Sequence, residues 1–230
     1  MHVLDDPDGF SPRARSFLRR AQVRQPERSR VPTDFRSVPD RTGRLIPAPL
    51  ELVVRREGFA ARFGGLRYDV RRSVRLADER IVSVRRWQFD LLETVRAEHA
   101  GWSFAWHGEH VSSPVSYLGH TDGRFGVSAG GPFLEACPSL NHLIEGHALM
   151  DELADWEPVA PTSLEAWTPN GGVNEHLREL LAGLSPVIEA SGPCDRWWRS
   201  ELLAIRLFDG WTDARPRPTG VMIWSRSGRI

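Results

Sequence analysis

The chain has no lysine. All thirty of its basic residues are arginine, and thirty carboxylates balance them to a formal net charge of zero. No global field therefore draws in nucleic acid or an anionic membrane surface. The missing lysine is what a GC-rich coding sequence produces, although arginine also brings a rigid fork suited to carboxylates. Cysteine is nearly missing too. Cys137 and Cys194 are far apart and form no C-x-x-C pair, so reduced thiols in a cytoplasm are expected. The opening, MHVLDDPDGF, is acidic and broken by proline and glycine, unlike a signal peptide. Nowhere do about twenty apolar residues run together, so no membrane span is expected.

What is present suits a folded, soluble protein. An apolar fraction of 40%, a charged fraction of 26% and nine tryptophans lie well away from disordered compositions. A chain of 230 residues can be one large domain or a domain of about 150 residues with an extension, burying roughly 70% of its unfolded surface.

Hydrophobic spacing predicts the elements. Ser11 and Pro12 open a short helix with Ala14, Phe17, Leu18 and Ala21 on one stripe. From Gln22 to Pro47, prolines at 26, 32, 39 and 47 and many charges without a period read as an irregular surface segment. Pro49 starts a second helix, with Leu50, Val53, Val54 and Ala61 on one side and Phe59 and Phe63 on the other. Such a helix is either sandwiched or broken near Gly58. In RFGGLRYDV, Gly64 or Gly65 can take the left-handed conformation that ends a helix, after which Leu66, Tyr68 and Val70 alternate as a strand. Alternation recurs at Val82 and Val84, at Trp87, Phe89 and Leu91, at Trp102, Phe104 and Trp106, and at Phe125 and Val127. The first two runs are out of phase, which a bulge at Arg85 and Arg86 would reconcile. Asp122-Gly123 marks a tight hairpin in an antiparallel meander. Pro138 then starts a helix with Leu140, Leu143, Ile144, His147, Met150 and Ala154 on a stripe covering one face of the sheet. Toward the C-terminus come a helix around Glu175 to Leu184, strands in SELLAIRLF and GVMIWS, and a loop, DGWTDARPRPTG, between them.

Candidate chemistry is sparse. His107, Glu109, His110 and His120 fall within fourteen residues, a density that permits a divalent-metal enzyme. On a strand, however, His107 and Glu109 share one side and His110 takes the other, and no zincin pair is present. A polar loop joining two strands is the alternative. His147 sits in an apolar stripe and reads as a core histidine or as a base oriented by Asp151. Ser112, Ser113 and Ser116 form no nucleophile elbow, GVSAGGPF is no phosphate loop, and nothing marks Cys137 as activated. Asp151, Glu152, Asp155 and Glu157 gather around Trp156 at the end of the predicted helix, where negative charge opposes the helix dipole. They are either a solvated end or an acidic rim with an aromatic anchor for a basic partner. Trp197 and Trp198 beside Arg196 and Arg199 face a partner or close the C-terminal part.

The order of parts, a proline-started helix, FGGLRY, a meander with the DGRFG turn, and the helix in SLNHLIEGHALMDEL, resembles the SUKH superfamily of bacterial immunity proteins over about residues 45 to 157. The resemblance implies an α+β fold and the binding and neutralisation of a cognate polymorphic toxin, often a nuclease or deaminase. It implies no catalytic residues and no cofactor. The expectation is therefore a cytoplasmic, non-enzymatic protein-binding module. Its α+β core, an antiparallel mixed sheet wrapped by helices, spans residues 48–157. A helix and irregular segment (1–47) precede it and a C-terminal helix-plus-hairpin extension (158–230) follows. The docking residues would be Asp151, Glu152, Asp155, Trp156 and Glu157. The alternatives are the His/Glu metal enzyme and a structural or regulatory scaffold.

Overall fold

Ser11 accepts the Ala14 N–H on its hydroxyl at 3.2 Å, and helix α1 (Pro12–Ala21) follows, the start that Ser-Pro favours. The computed structural model describes residues 1–24, 37–76, 79–110, 115–159, 175–209 and 218–226. Where an irregular segment was expected, three short strands form: β1 (Gln22–Arg24), β2 (Ser37–Pro39) and β3 (Leu45–Pro47). Pro39 and Pro47 close the ends of a two-stranded β2–β3 ladder, positions that a residue without N–H tolerates. The ladder tucks Val38 fully inside. Residues 25–36 of that segment lie outside the described residues.

Helix α2 (Leu50–Phe63) runs unbroken through Gly58. It buries Leu52, Arg56, Phe59 and Phe63, while Leu50 and Val54 of the stripe singled out from sequence are exposed. The aromatic face wins because its rings have ring partners: Phe59 lies 5.7 Å from Phe104 and 5.8 Å from Trp106, and Phe63 lies 6.1 Å from Phe89. Arg56 is tolerated there because it donates to the Leu92 carbonyl, and burial draws its pKa down to about 10. The glycine joint then divides its work. Gly64 has no room for a side chain, since a Cβ would sit 2.5 Å from the Ala60 carbonyl oxygen. Gly65 takes φ 75°, a conformation that costs other residues about 1–2 kcal/mol.

The sheet follows as an antiparallel meander: β4 (Leu66–Leu76), β5 (Glu79–Ala97), β6 (Trp102–Glu109), β7 (Ser116–His120), β8 (Phe125–Ser128) and β9 (Leu134–Cys137). With β1 at one edge, the order is β1-β4-β5-β6-β7-β8-β9. Gly123 makes the β7–β8 turn at φ 105°. The bulge expected at Arg85 and Arg86 is absent from the β4–β5 ladder, which runs in register from Arg67↔Gln88 to Leu76↔Glu79. Instead β5 slips against β6 between Gln88 and Leu91 and again before Val95. Val82 and Val84 needed no correction of phase, because they lie on the outer side of a strand arm and are exposed.

Helix α3 (Leu140–Leu153) begins two residues later than the proline suggested. It does more than cover the sheet. Nearly every residue from Ile144 to Leu153 is buried, so the helix is enclosed on all sides. Beyond it, the expected helix-plus-hairpin is a five-stranded sheet with a helix. The parts are β10 (Glu157–Pro158), α4 (Glu175–Ala182), β11 (Ser185–Pro186), β12 (Asp195–Arg199), β13 (Leu203–Asp209) and β14 (Pro218–Ser225). The order is β10-β14-β13-β12-β11. The predicted 209–220 loop falls largely outside the described residues, at 210–217. Alternation splits this sheet cleanly. Trp197, Ala204 and Trp224 join the core containing α1, α3 and the large sheet, while Ile205, Leu207, Val221 and Ile223 form a second core with Leu177 of α4. Trp197 stacks on Trp224 at 5.7 Å, and the Trp224 indole N–H donates to the Ser73 hydroxyl at 3.1 Å.

Candidate functional site

The five residues considered for partner docking do come together, but each acid already has an arginine of this chain. Asp151 is buried and accepts the Arg71 backbone N–H and its Nε–H, both at 3.1 Å. Asp155, one turn on, takes the other side of the same guanidinium at 2.8 and 3.0 Å. That pairing lowers the Asp155 pKa. Glu152 holds Arg199 of β12 by two bonds, and Glu157 contacts Arg75 of β4 at 3.0 Å. Trp156 is buried with the guanidinium groups of Arg199 and Arg226 over its ring at 5.4 and 5.0 Å. The cluster is thus a seam that ties α3 to β4 and to the C-terminal sheet.

The four residues weighed as metal ligands are separated by their strands. Glu109 lies between Arg72 at 3.4 Å and Arg85 at 3.6 Å, His107 and His110 are exposed, and buried His120 contacts Asp122. Among the described residues no three His, Cys, Asp or Glu side chains converge as a metal would need. Ser112 and Ser113 lie outside the described residues.

Two other features stand out. One is a pocket of about 140 Å³ enclosed by α3, the inner face of the large sheet and the C-terminal sheet. Its wall includes Arg72, Trp87, Glu109, Tyr117, His147 and Arg206. Burial, helped by the charges of Arg72 and Arg206, pushes the His147 pKa well below that of a free imidazole, and burial raises those of the Cys137 thiol and the Tyr117 phenol. At neutral pH all three are uncharged and far from their titration ranges. His147 was noticed in the sequence, but with the wrong orienting group: its Nδ1 bonds to the Tyr68 hydroxyl at 2.8 Å, and Asp151 serves Arg71. Arg72 was missed, although it continues the inward alternation of Leu66, Tyr68 and Val70.

The other feature is the β4–β5 arm. The β5–β6 ladder begins at Trp87↔Glu109, and His110 N–H donates to the Arg86 carbonyl at 2.7 Å. From Glu79 to Arg85, β5 is paired with β4 alone among the described residues. Since Arg86 points its backbone groups away from β4, so do Arg80, Val82 and Val84, by the two-residue period of the ladder. Around this edge, left unpaired by the described residues, Leu76, Ile81, Val82 and Val84 expose apolar surface, Val84 most at 59%. No helix of the described residues is long and apolar enough to cross a membrane. No family model, curated protein or solved structure matches the chain.

Proposed function

We propose that the chain is a non-catalytic protein-binding module, an immunity protein that neutralises a cognate toxin domain, and that the partner docks by adding a strand to β5 at residues 79–85. The observation that carries this reading is that edge, which no described residue pairs. A long, apolar strand edge is a template for pairing, and soluble proteins ordinarily blunt or cover such edges. Strand addition uses backbone bonds for affinity and flanking side chains for specificity. Here Val82 and Val84 supply apolar contacts on one face and Ile81 contributes on the other. The resemblance to SUKH immunity proteins supports a toxin as the partner's class. The pKa shifts of His147, Cys137 and Tyr117 support binding over proton-transfer catalysis, which works best with groups that titrate near neutrality. The acidic seam is a poor docking rim, because its carboxylates are already paired.

A photo-crosslinking residue at position 82 should capture one specific protein in the native cell, and the same probe at exposed Leu202 should not. Val82→Pro removes an N–H that points away from β4, so it should abolish capture without lowering the melting temperature. The captured protein should arrest growth when expressed alone, and co-expression of this chain should restore growth. Equal capture by Val82→Pro, or a captured protein with no toxicity, would refute the proposal.

A further inference from the structure

The pocket beside His147 is independent of the β5 edge and has its own chemistry. Two buried donors on its wall, Arg72 Nε–H and Trp87 Nε1–H, have no acceptor among the described residues. Neither side chain can accept a hydrogen bond, so an acceptor from beyond the described residues is needed to satisfy them. Both line the same pocket, on either side of Glu109. Trp87 stands directly across from Glu109 in the β5–β6 ladder, and the Arg72 head group contacts Glu109 at 3.4 Å. Trp87 is 2% exposed. Arg72 leaves 26% of its side chain exposed, but its Nε is among the buried atoms.

The charges point the same way. Arg206 is matched by Asp195 in a two-bond pair at 2.8 and 2.7 Å. Glu109 is shared between Arg72 and Arg85, which lies outside the pocket wall, so it neutralises Arg72 only in part. The remaining wall includes the rings of Phe125 and Phe208. A volume of about 140 Å³ is close to that of cavities which hold a single benzene ring.

We propose that this pocket binds a small organic monoanion of up to about nine heavy atoms, its acid group accepting from Arg72 Nε–H and Trp87 Nε1–H and its apolar body lying against Phe125 and Phe208. Benzoate is the probe. Benzamide has the same shape without the charge, and benzylammonium reverses it. Calorimetry on the intact chain should show benzoate binding at least about tenfold tighter than benzamide, the loss expected when a hydrogen bond to a charged group becomes neutral. Benzylammonium should not bind. Arg72→Met and Trp87→Phe should each weaken benzoate at least about tenfold, while Arg86→Met, on the exposed arm, should leave it unchanged. Trp87→Phe keeps the ring packing and so tests the donor even where Arg72→Met fails to fold. The comparison of benzoate with benzamide needs no variant. Absence of benzoate binding at millimolar concentration, equal binding of benzamide, or full affinity in folded Trp87→Phe would overturn the assignment.

Discussion

Tyr68 and His147, 79 positions apart, share a hydrogen bond of 2.8 Å in the interior between β4 and α3. The Trp87 ring lies 4.2 Å from the imidazole, and the nearest charges that bear on it are Arg72 and Arg206. Burial and these cations keep His147 neutral in the folded state well below the usual imidazole range. In the unfolded chain it takes a proton near pH 6.5. The unfolded state therefore binds more protons as pH falls, and stability is lost below about pH 6.5. The expected slope is about 1.4 kcal/mol per pH unit for this group. His2, whose pKa is also lowered by burial, adds in the same direction. Urea denaturation between pH 7.5 and 5 should show the decline, and His147→Gln, still able to bond to Tyr68, should flatten it.

Arg71 divides its guanidinium between a buried and an exposed carboxylate, which predicts unequal effects. Arg71→Met leaves Asp151 in the interior with the position-71 backbone N–H at 3.1 Å and Arg20 at 3.3 Å, and should cost about 1.5–3 kcal/mol, the range for a lost hydrogen bond between charged groups. Asp155→Asn should cost less than about 1 kcal/mol, because that partner is largely exposed. Replacing Asp151, Glu152, Asp155 and Glu157 together by serine should lower the melting temperature sharply. Circular dichroism melts decide both points.

The two glycines of the joint should fail for different reasons. Gly65→Ala incurs the strain of a positive φ and should cost at least about 1–2 kcal/mol. Gly64→Ala drives a Cβ against the Ala60 carbonyl, and should cost more unless the end of α2 unwinds. Chemical denaturation of the two variants gives the order.

On α2 the two apolar faces can be told apart by substitution. Leu50→Arg and Val54→Arg should change stability by less than about 0.5 kcal/mol, whereas Leu52→Ala should cost about 2–5 kcal/mol. The reverse order would mean the helix is rotated.

Local periodicity made much of this fold legible. Ser-Pro before α1, the glycines before β4 and Asp-Gly between β7 and β8 each act within a few residues, and each does what its chemistry suggests. The failures arose where the deciding partner is remote. Nothing near Asp151 reveals that Arg71 of β4 will claim it, so a paired seam read as a free acidic rim. Leu50 and Val54 form as good a stripe as Phe59 and Phe63 until Phe104 and Trp106 are placed opposite. Strands β10 and β11 are two residues long, too short for any period. The pocket draws on β4, β5, β6, α3 and β13, and one sign of it was local: a charged Arg72 on the inward side of β4.

Glu145, buried in α3, accepts the Ser11 N–H, the Ser11 hydroxyl and an Arg13 N–H at 2.6, 2.7 and 3.2 Å. Ser11 is 134 positions from Glu145 and Arg13 is 132. On the ribosome, where roughly 5–20 residues are added each second, α1 must wait on the order of ten seconds before its anchor exists. Phe17 can meet the Tyr68 ring of β4 before then, but the seat of α1 is complete only when α3 brings Glu145.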